Sequence, residues 1–520
     1  MTSSEHRDYR LAELVAALSL ATDLGTGQPM EHTLRTCLFA VRLGRELGLA
    51  NAELAEVYYL ALLRFVGCTA NAHETAAFAG GDDLAFYAGV AAVFMGEMPE
   101  MLGYMVRHLG AGSPPLRRTR LVVGAVIDPG GGERAVTAHC EAARMLADRM
   151  GFGEAIQHAL GHAFERWDGK GFPGHLAGEA IPLSVRITIV ARDVEIMHRL
   201  GGTEMAEDAL RRRRGKAYDP MVSDTFLKHG ERLVAELEGE SIWESVLQEE
   251  PSPQERIPEA RLDGILQAFA YFADLKSPFT HGHSTEVAEL SEAAAKRIGL
   301  SEGETTALRR AAFVHDLGRT AVPDGIWERP GPLTTEEWER VRLHPYFTER
   351  VLSRSSGLAP LAALAGSHHE RLDGSGYHRG GAASSLSRAA RVLAAADAYQ
   401  AMTQERPYRE ALSKAAAARE LRKEAAAGKL DGEAVQAVLG AAGQSATRTR
   451  PTWPAGLTDR EVEVLRLLCQ GNANPAMARR LSISTKTVGH HVEHIYGKIG
   501  VSTRAGAALF AMQHDLVRPD

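Results

Sequence analysis

Apolar residues recur along most of the chain at three- and four-residue intervals, the spacing of one face of an α-helix. Val287, Leu290, Ala294 and Ile298 form one such series. Period-two alternation, the mark of a half-buried strand, is scarce. The pattern predicts an all-α protein, and it breaks in three places. The stretch Gly239 to Pro258 is acidic and carries Pro251, Pro253 and Pro258. The stretch Ala441 to Gly456 carries Gly443, Pro451 and Pro454 among serines and threonines. Both read as connectors, which divides the chain into a first helical domain (1–240), a linker (241–257), a second helical domain (258–443), a linker (444–455) and a small third domain (456–518). The third break, Gly110 to Pro129, reads as a loop inside the first domain. The run Arg211 to Arg214 reads as a solvated helix face.

The first two domains look like divergent copies of one another. Gly48-Leu49 in RELGLANAEL pairs with Gly299-Leu300 in KRIGLSEGET, an offset of 251 that also pairs His32 with His283. ERWDGKGF (165–172) pairs with ERLDGSGY (370–377), an offset of 205, and His139 stands as far before Glu165 as His344 before Glu370. AYDP (217–220) occupies the place of KLDG (429–432). The offsets differ because the first copy carries extra residues in its middle.

Composition narrows the classes. A chain of 520 residues has room for three or four domains. With 45% apolar and 24% charged residues it is ordinary globular protein, and with only 6% aromatics and abundant alanine it favours helix. A net charge of -7 excludes a globally basic nucleic-acid binder, so any DNA contact must come from a local patch. The four cysteines, Cys37, Cys68, Cys140 and Cys469, form no CxxC pair, which excludes a disulfide scaffold and argues against a thiolate zinc site. No apolar run reaches membrane-spanning length; Leu84 to Met95 stops at Gly96 and Glu97. No signal-peptide core follows Met1. The expected location is cytoplasmic, with no membrane partner.

The second copy concentrates metal-binding side chains: His283, the pair His315-Asp316, His344, the pair His368-His369, and Asp397. Imidazoles with carboxylates suit divalent first-row metals. Adjacent residues on a helix point about 100° apart, so a His-Asp pair can give one ion an imidazole while its carboxylate bridges two. A two-metal centre activates water and neutralises phosphoryl oxygen, as phosphodiester hydrolysis requires. Arg319, three residues after the pair, is placed to bind phosphate oxygens. Asp373, Gly374 and Gly376 lie in a tight turn that can bring backbone close to a ligand.

These residues resemble the HD-GYP phosphohydrolases. FTHGHS (279–284), HDLGRTAVPD (315–324), RPGPLTTEEWERVRLHP (329–345), HHERLDGSGY (368–377), AADAYQAMT (395–403) and ERPYREAL (405–412) follow that family's pattern in order over roughly 260–440. The resemblance implies an all-helical domain with two divalent ions, iron or manganese, held by His283, His315, Asp316, His344, His368, His369 and Asp397. It implies hydrolysis of a cyclic dinucleotide such as cyclic di-GMP. Asp316 and Arg319 would be catalytic, and Arg319, Asp373, Gly374, Gly376 and Tyr377 would face the substrate. Two positions depart from the pattern: Arg319 replaces the family's lysine, and His378 replaces the proline of the GYP triplet. In the first copy His32, His139 and Asp193 are expected to remain at ligand positions. Gly67-Cys68 is read as the remnant of the His-Asp pair and Ala163-Phe164 as that of the double histidine. Such a copy is expected to pair or sense rather than catalyse, with Cys68 a buried, inert thiol.

The C-terminal residues carry helix punctuation: a capping box at Thr458 and Glu461, Asn474-Pro475 opening a second helix, Ser484 capping a third, Gly500 ending it and Ser502 capping a fourth. The short second helix, tight turn and third helix have helix-turn-helix geometry. Between Ala476 and Arg504 five basic residues face one acid, Glu493, a local positive patch on an acidic chain. Residues 457–507 are similar to the LuxR-type DNA-binding domain, whose members bind DNA as dimers through the third helix. Thr485, Lys486, Thr487, His490, His491, Lys498 and Arg504 are the expected DNA contacts; Gly489 stands where the family often has lysine. The whole reads as a homodimeric regulator that joins a metal-dependent phosphodiesterase to promoter DNA. The alternative is a transcription factor whose HD domains only sense a ligand or mediate pairing.

Overall fold

The computed structural model describes residues 8–93, 98–110, 114–127, 130–237, 241–443 and 453–517. Helices make up nearly all of its regular secondary structure. The one sheet among the described residues pairs Asp8–Arg10 antiparallel with Arg256–Pro258, with Tyr9 opposite Ile257. The chain divides into two compact units, Met1–Leu262 and Asp263–Asp520.

In the first unit the helices Leu11–Gly25, His32–Glu46, Asn51–Leu63, Gly131–Met150 and Leu183–Arg213 enclose an alanine- and leucine-rich core. The last of these is broken at Gly201 and Gly202, whose backbone is non-helical. Residues 115–127, expected as a loop, form the helix Pro115–Ile127; Pro114 and Pro115 open it, since proline is pre-set for a first helical turn. The stretch 241–257, expected as a connector, is built into this unit as the helix Ile242–Gln248 and the strand Arg256–Pro258. Its prolines and acids suggested a loop, yet Val246 and Ile257 are fully buried. Glu250 is buried too, held by Arg10 at 2.6 Å and by the Tyr59 hydroxyl at 2.8 Å. The arginine run is split. Arg211 and Arg212 pair with Glu207 and Asp208 one turn back, while Arg213 turns inward to Asp193 and Tyr218.

The second unit repeats the plan. The helices His283–Arg297, Glu302–Val314, His344–Leu352 and Arg388–Thr403 surround its metal-ligand candidates. Their starts and stops are chemically marked. Ser301 and Glu304 form a capping box, as do Thr334 and Glu337, and Ser387 and Asp431 cap the helices they precede. Leu308, Val392 and Leu393 are fully buried, each contributing about 1.5–3 kcal/mol from apolar burial.

Three internal brackets recur in both units. Buried Asp23 accepts from the Thr33 backbone and hydroxyl, as Asp274 does from Ser284. Buried Glu165 accepts from the amides of Gly174 and Leu176, as Glu370 does from Arg379 and Gly381. Arg186 pairs with Asp219 as Arg391 does with Asp431. The first two keep the offsets of 251 and 205, and the third keeps its partners across a longer connection in the second copy, so the repeat is a repeat of packing as well as of letters.

The C-terminal helices Asp459–Cys469, Asn474–Leu481, Thr485–Ile499 and Arg504–Gln513 form a small cluster inside the second unit. Thr458 with Glu461, Ser484 and Gly500 punctuate it as expected; the fourth helix is capped by Thr503 rather than Ser502. Most of the expected connector 444–455 lies outside the described residues; Pro454–Gly456 makes one 3-10 turn.

Candidate metal centre and nucleic-acid interface

The seven predicted ligands come from distant parts of the sequence and meet at helix ends. His283 opens one helix, His315 closes another and His344 opens a third. His368 and His369 lie in the turn after Ala359–Ala365, and Asp397 projects from inside Arg388–Thr403. Two glycines make the convergence possible. A Cβ on Gly318 would fall 2.0 Å from the His344 carbonyl oxygen, so only glycine lets the segment after Asp316 pass beneath His344. A Cβ on Gly376 would fall 2.5 Å from the His369 oxygen, so the loop bearing Tyr377 lies flat against the double histidine.

The Asp316 carboxylate is the hub. It lies 3.4 Å from His344 Nε2, 3.5 Å from His368 Nε2, 3.7 Å from His315 Nε2 and 3.8 Å from His283 Nε2. Asp397 lies 3.2 Å from His283 Nε2, 3.8 Å from His369 Nδ1 and 3.9 Å from His315 Nε2. Three overlapping groups have ligand atoms within 4.8 Å of one another: His344 with His368 and His369, His283 with His315 and Asp397, and His315 with Asp316 and His368.

The outer ring nitrogens set the tautomers. Nδ1 of His315, His344 and His368 each meet a backbone carbonyl three residues earlier, at 2.7, 2.6 and 2.7 Å, and must donate to it. His283 Nδ1 meets the Gln404 side-chain oxygen at 3.1 Å. A neutral ring so anchored turns a bare Nε2 lone pair inward. The Nε2 atoms of His344 and His368 then face each other at 3.1 Å, an arrangement that repels unless a cation lies against both. His315 Nε2 and Asp316 Oδ1 are buried without a hydrogen-bond partner, which buried polar groups rarely tolerate.

Protonation states agree. Burial pushes His283, His368 and His369 below the ordinary imidazole range, favouring the neutral ligand form. Burial would raise the carboxyls, but the surrounding imidazoles and, at Asp316, the Arg319 charge outweigh it and hold both below the ordinary carboxylate range. Both stay ionised. Neutral imidazoles and two carboxylates, orphaned and aimed at one place, fit divalent cations.

Around this cage, Arg319 lies with Nε 3.6 Å from Asp316 and its guanidinium 3.7 Å over the Trp327 ring. The Tyr377 ring lies 4.7 Å from His369. Asp373 and Gly374 do not reach the cage: the Asp373 carboxylate is spent on the Ser375 amide and hydroxyl within its own turn. Sequence reasoning left Arg406 unassigned although it lies in the quoted ERPYREAL motif. Its guanidinium is half-buried beside the ligands, donating to the Phe279 carbonyl and to Gln404 Oε1. Burial, with the Arg319 charge adding to it, lowers its pKa to about 10, so it remains cationic.

The first copy has lost this site, and the structure corrects which residues replaced it. A Cβ on Gly67 would fall 2.1 Å from the His139 carbonyl oxygen, the same close approach that Gly318 makes to His344. Gly67 therefore matches Gly318, and counting back three places Arg64-Phe65, not Gly67-Cys68, opposite His315-Asp316. Likewise Arg186 matches Arg391, so Arg192, not Asp193, stands opposite Asp397. Ala163 and Phe164 replace the double histidine as expected. Only His32 and His139 survive, and Cys68 is a buried thiol.

In the C-terminal cluster, Thr485, Lys486, Thr487 and His490 are exposed along the start of the helix Thr485–Ile499, with His491 half-buried. Arg479 and Arg480 on the preceding helix are exposed as well, although sequence reasoning used them only for charge. Lys498 and Arg504 are engaged within the domain. The Lys498 ammonium meets Glu461 at 2.6 Å and the Gly456 carbonyl at 3.0 Å; Arg504 donates to the carbonyls of Leu468 and Asn472, both at 3.1 Å. The cluster also touches the loop that leads into His283: Gly471 packs on Pro278, and a Cβ on Gly282 would fall 2.9 Å from Val517.

Helices that carry a buried, cation-shaped set of imidazoles and carboxylates on their ends define a metal-dependent phosphohydrolase of the HD class. Comparison with known proteins agrees. The HD domain family matches residues 132–222 and 267–434, and the luxR family of bacterial regulatory proteins matches 455–511. The chain is 32% identical over 411 residues to the 3'3'-cGAMP-specific phosphodiesterase 3 of Vibrio cholerae, covering 78% of this chain and 88% of that one. The cyclic di-GMP phosphodiesterase of Thermotoga maritima is 37% identical over 178 residues, 34% of this chain and 48% of its own. A crystal structure of a cyclic GMP-AMP-specific phosphodiesterase of V. cholerae superposes with a TM-score of 0.58 at 27% identity, covering 84% of this chain and 98% of that one. This chain belongs to the HD-GYP family of cyclic-dinucleotide phosphodiesterases and carries a LuxR-type DNA-binding domain at its C-terminal end. Among the described residues no helix is long and apolar enough to cross a membrane.

Proposed function

We propose that the second copy hydrolyses a cyclic dinucleotide, cyclic di-GMP or 3'3'-cGAMP, and that the attached domain carries this activity to promoter DNA in a cytoplasmic homodimer. The observation that supports it most is the Asp316 carboxylate, ringed by four imidazole nitrogens within 3.8 Å. His344, His368 and His369 would hold one divalent ion and His283, His315 and Asp397 a second, with Asp316 between them; the mixed nitrogen and oxygen donors suit iron or manganese. Ions bound there would supply Lewis acidity to the phosphodiester and lower the pKa of water.

The chain's own residues do the rest. Arg319 and Arg406 are cations at the edge of the cage, suited to the non-bridging phosphate oxygens. Burial raises the Tyr377 phenol, so it stays protonated and can donate to a ligand oxygen. Gly376 holds that ring against His369. Buried carbonyls fix the histidine tautomers and keep protons off the inner nitrogens. In the DNA-binding domain, Lys486, Arg479 and Arg480 supply phosphate contacts, while Thr485, Thr487, His490 and His491 face the groove. Its contact with the 278–282 loop gives occupancy of the His283 side of the pocket a short route to the DNA-binding helices. The test is hydrolysis of the two cyclic dinucleotides by the manganese- or iron-loaded full chain, with His315→Ala and Asp316→Ala as controls. Turnover lost in both variants supports the proposal. A metal-loaded chain that retains the dinucleotide without cleaving it would instead make the domain a sensor.

A further inference from the structure

The first copy keeps an excess of positive charge where its metal ligands used to be. Arg64 replaces a histidine ligand and Arg192 an aspartate ligand. Both guanidiniums lie around Phe65, which occupies the place of the bridging carboxylate, with Cζ atoms 5.7 and 5.9 Å from the ring centre. His32, His139 and Phe164 surround the same ring at 6.4, 6.3 and 6.4 Å. Arg64 is only 5% exposed, yet its Nε and Nη1 have no hydrogen-bond partner, and neither do Arg192 Nε and His32 Nε2.

The local anions do not balance this charge. Arg192 and Arg213 share the single carboxylate Asp193, at 2.6 and 3.5 Å. Glu195 is taken by His32 and Arg199, and the charge of Glu100 acts on Arg213. Part of the Arg64 charge rests on the face of Phe164 at 4.7 Å, but a ring face offers no acceptor to Nε or Nη1. A buried, unpaired guanidinium is costly and calls for an anion. Phe65, Phe164, Arg192 and Asp193 all retain some exposure, so the cluster opens to solvent on that side.

The geometry points to a metal-free site in the first copy for a phosphate-bearing anion, with Arg64 and Arg192 as the donors that replace the cations of the second copy. An anionic phosphate is drawn to the same place in both copies, by metal ions in one and by guanidiniums in the other. Planar, permanently charged guanidinium suits phosphate and releases no metal-like reactivity, so the site binds without cleaving.

The test uses the full chain carrying Asp316→Asn and dialysed against chelator, which removes metal-dependent binding at the second copy, while substitution of Arg192 separates the first copy's site from phosphate held by Arg319 and Arg406. Calorimetric titration follows with inorganic phosphate, GMP, 3'3'-cGAMP and, as the phosphate-free control, guanosine. A phosphate-bearing ligand binds and guanosine does not. Arg192→Ala, at a part-exposed position that leaves the core intact, weakens binding about tenfold or more, as expected for one charge-assisted contact, while Arg192→Lys restores part of it. Arg64→Met does the same if it folds by circular dichroism. Tighter binding of a nucleotide than of free phosphate identifies a nucleotide as the occupant; equal affinities identify inorganic phosphate. No binding of any phosphate-bearing ligand at about 10 mM, well above a millimolar dissociation constant, or equal binding by Arg192→Ala, overturns the assignment.

Discussion

One methyl group at Gly318 is expected to separate the two walls of the metal centre. In Gly318→Ala the new Cβ would stand 2.0 Å from the His344 carbonyl oxygen and 2.6 Å from the Thr348 amide, where real Cβ contacts stay beyond 3.0 Å. Relief therefore takes about 1 Å of movement between backbone segments. One segment carries Asp316 and Arg319, and the other opens the helix with His344. Overpacking of this kind costs about 1–3 kcal/mol of stability. A 1 Å displacement of reacting groups costs about 10²-fold in rate, close to 3 kcal/mol of barrier. The assay is steady-state hydrolysis of cyclic dinucleotide together with metal analysis by mass spectrometry, on protein whose circular dichroism matches the wild type. Gly67→Ala is the control. Its Cβ would lie 2.1 Å from the His139 carbonyl oxygen, so it carries the same packing cost in the copy without a metal site. Gly318→Ala is expected to lose turnover and metal, Gly67→Ala only melting temperature. Wild-type turnover and metal content in a folded Gly318→Ala would show that this close approach does not position the cage.

Other expectations follow from single contacts. Gln404→Ala frees His283 Nδ1 and is expected to weaken metal retention about 10–100-fold, as loss of a ligand-orienting partner does; chelator competition that releases metal equally from variant and wild type would count against that role. Lys486→Ala is expected to lower the salt slope of DNA binding by about one unit, whereas Lys498→Ala, whose ammonium is bound to Glu461, is expected to leave the slope alone and lower the melting temperature. His139, which burial lowers to about 4, is neutral in the folded chain and protonates near 6.5 when unfolded. Stability is therefore full above pH 6.5 and falls by about 3 kcal/mol as the pH drops toward 4. His139→Asn is expected to flatten that part of the stability profile, and an unchanged profile would contradict a buried neutral imidazole.

The convergence of the candidate ligands was legible because its chemistry shows in single letters: an adjacent His-Asp pair and an adjacent His-His pair are rare, and each residue type has few other uses in a buried core. The helix-turn-helix was legible from caps, which are local. Some misreadings were misapplied register. The offset of 251 that pairs His32 with His283 also places Arg64-Phe65 opposite His315-Asp316, so Gly67-Cys68 was a miscount that the close approach of Gly67 to a carbonyl 72 residues away corrects. Residues 241–257 read as a connector because proline and glutamate usually mark solvent, but Glu250 is buried against Arg10 and Tyr59. Lys498 and Arg504 looked like DNA contacts by charge alone, and charge does not reveal that each already has a partner within its own domain.

Whether distant side chains form one cation-binding cage that cleaves a cyclic dinucleotide is decided by measuring metal content and turnover on the same preparations of wild type and Asp316→Asn. The wild type is expected to carry divalent metal and to convert a cyclic dinucleotide to its linear product, stopping on chelation and resuming on manganese or iron addition; Asp316→Asn is expected to lose both metal and turnover. Wild-type metal content in Asp316→Asn, or a metal-replete wild type that leaves both dinucleotides uncleaved, would contradict such a cage.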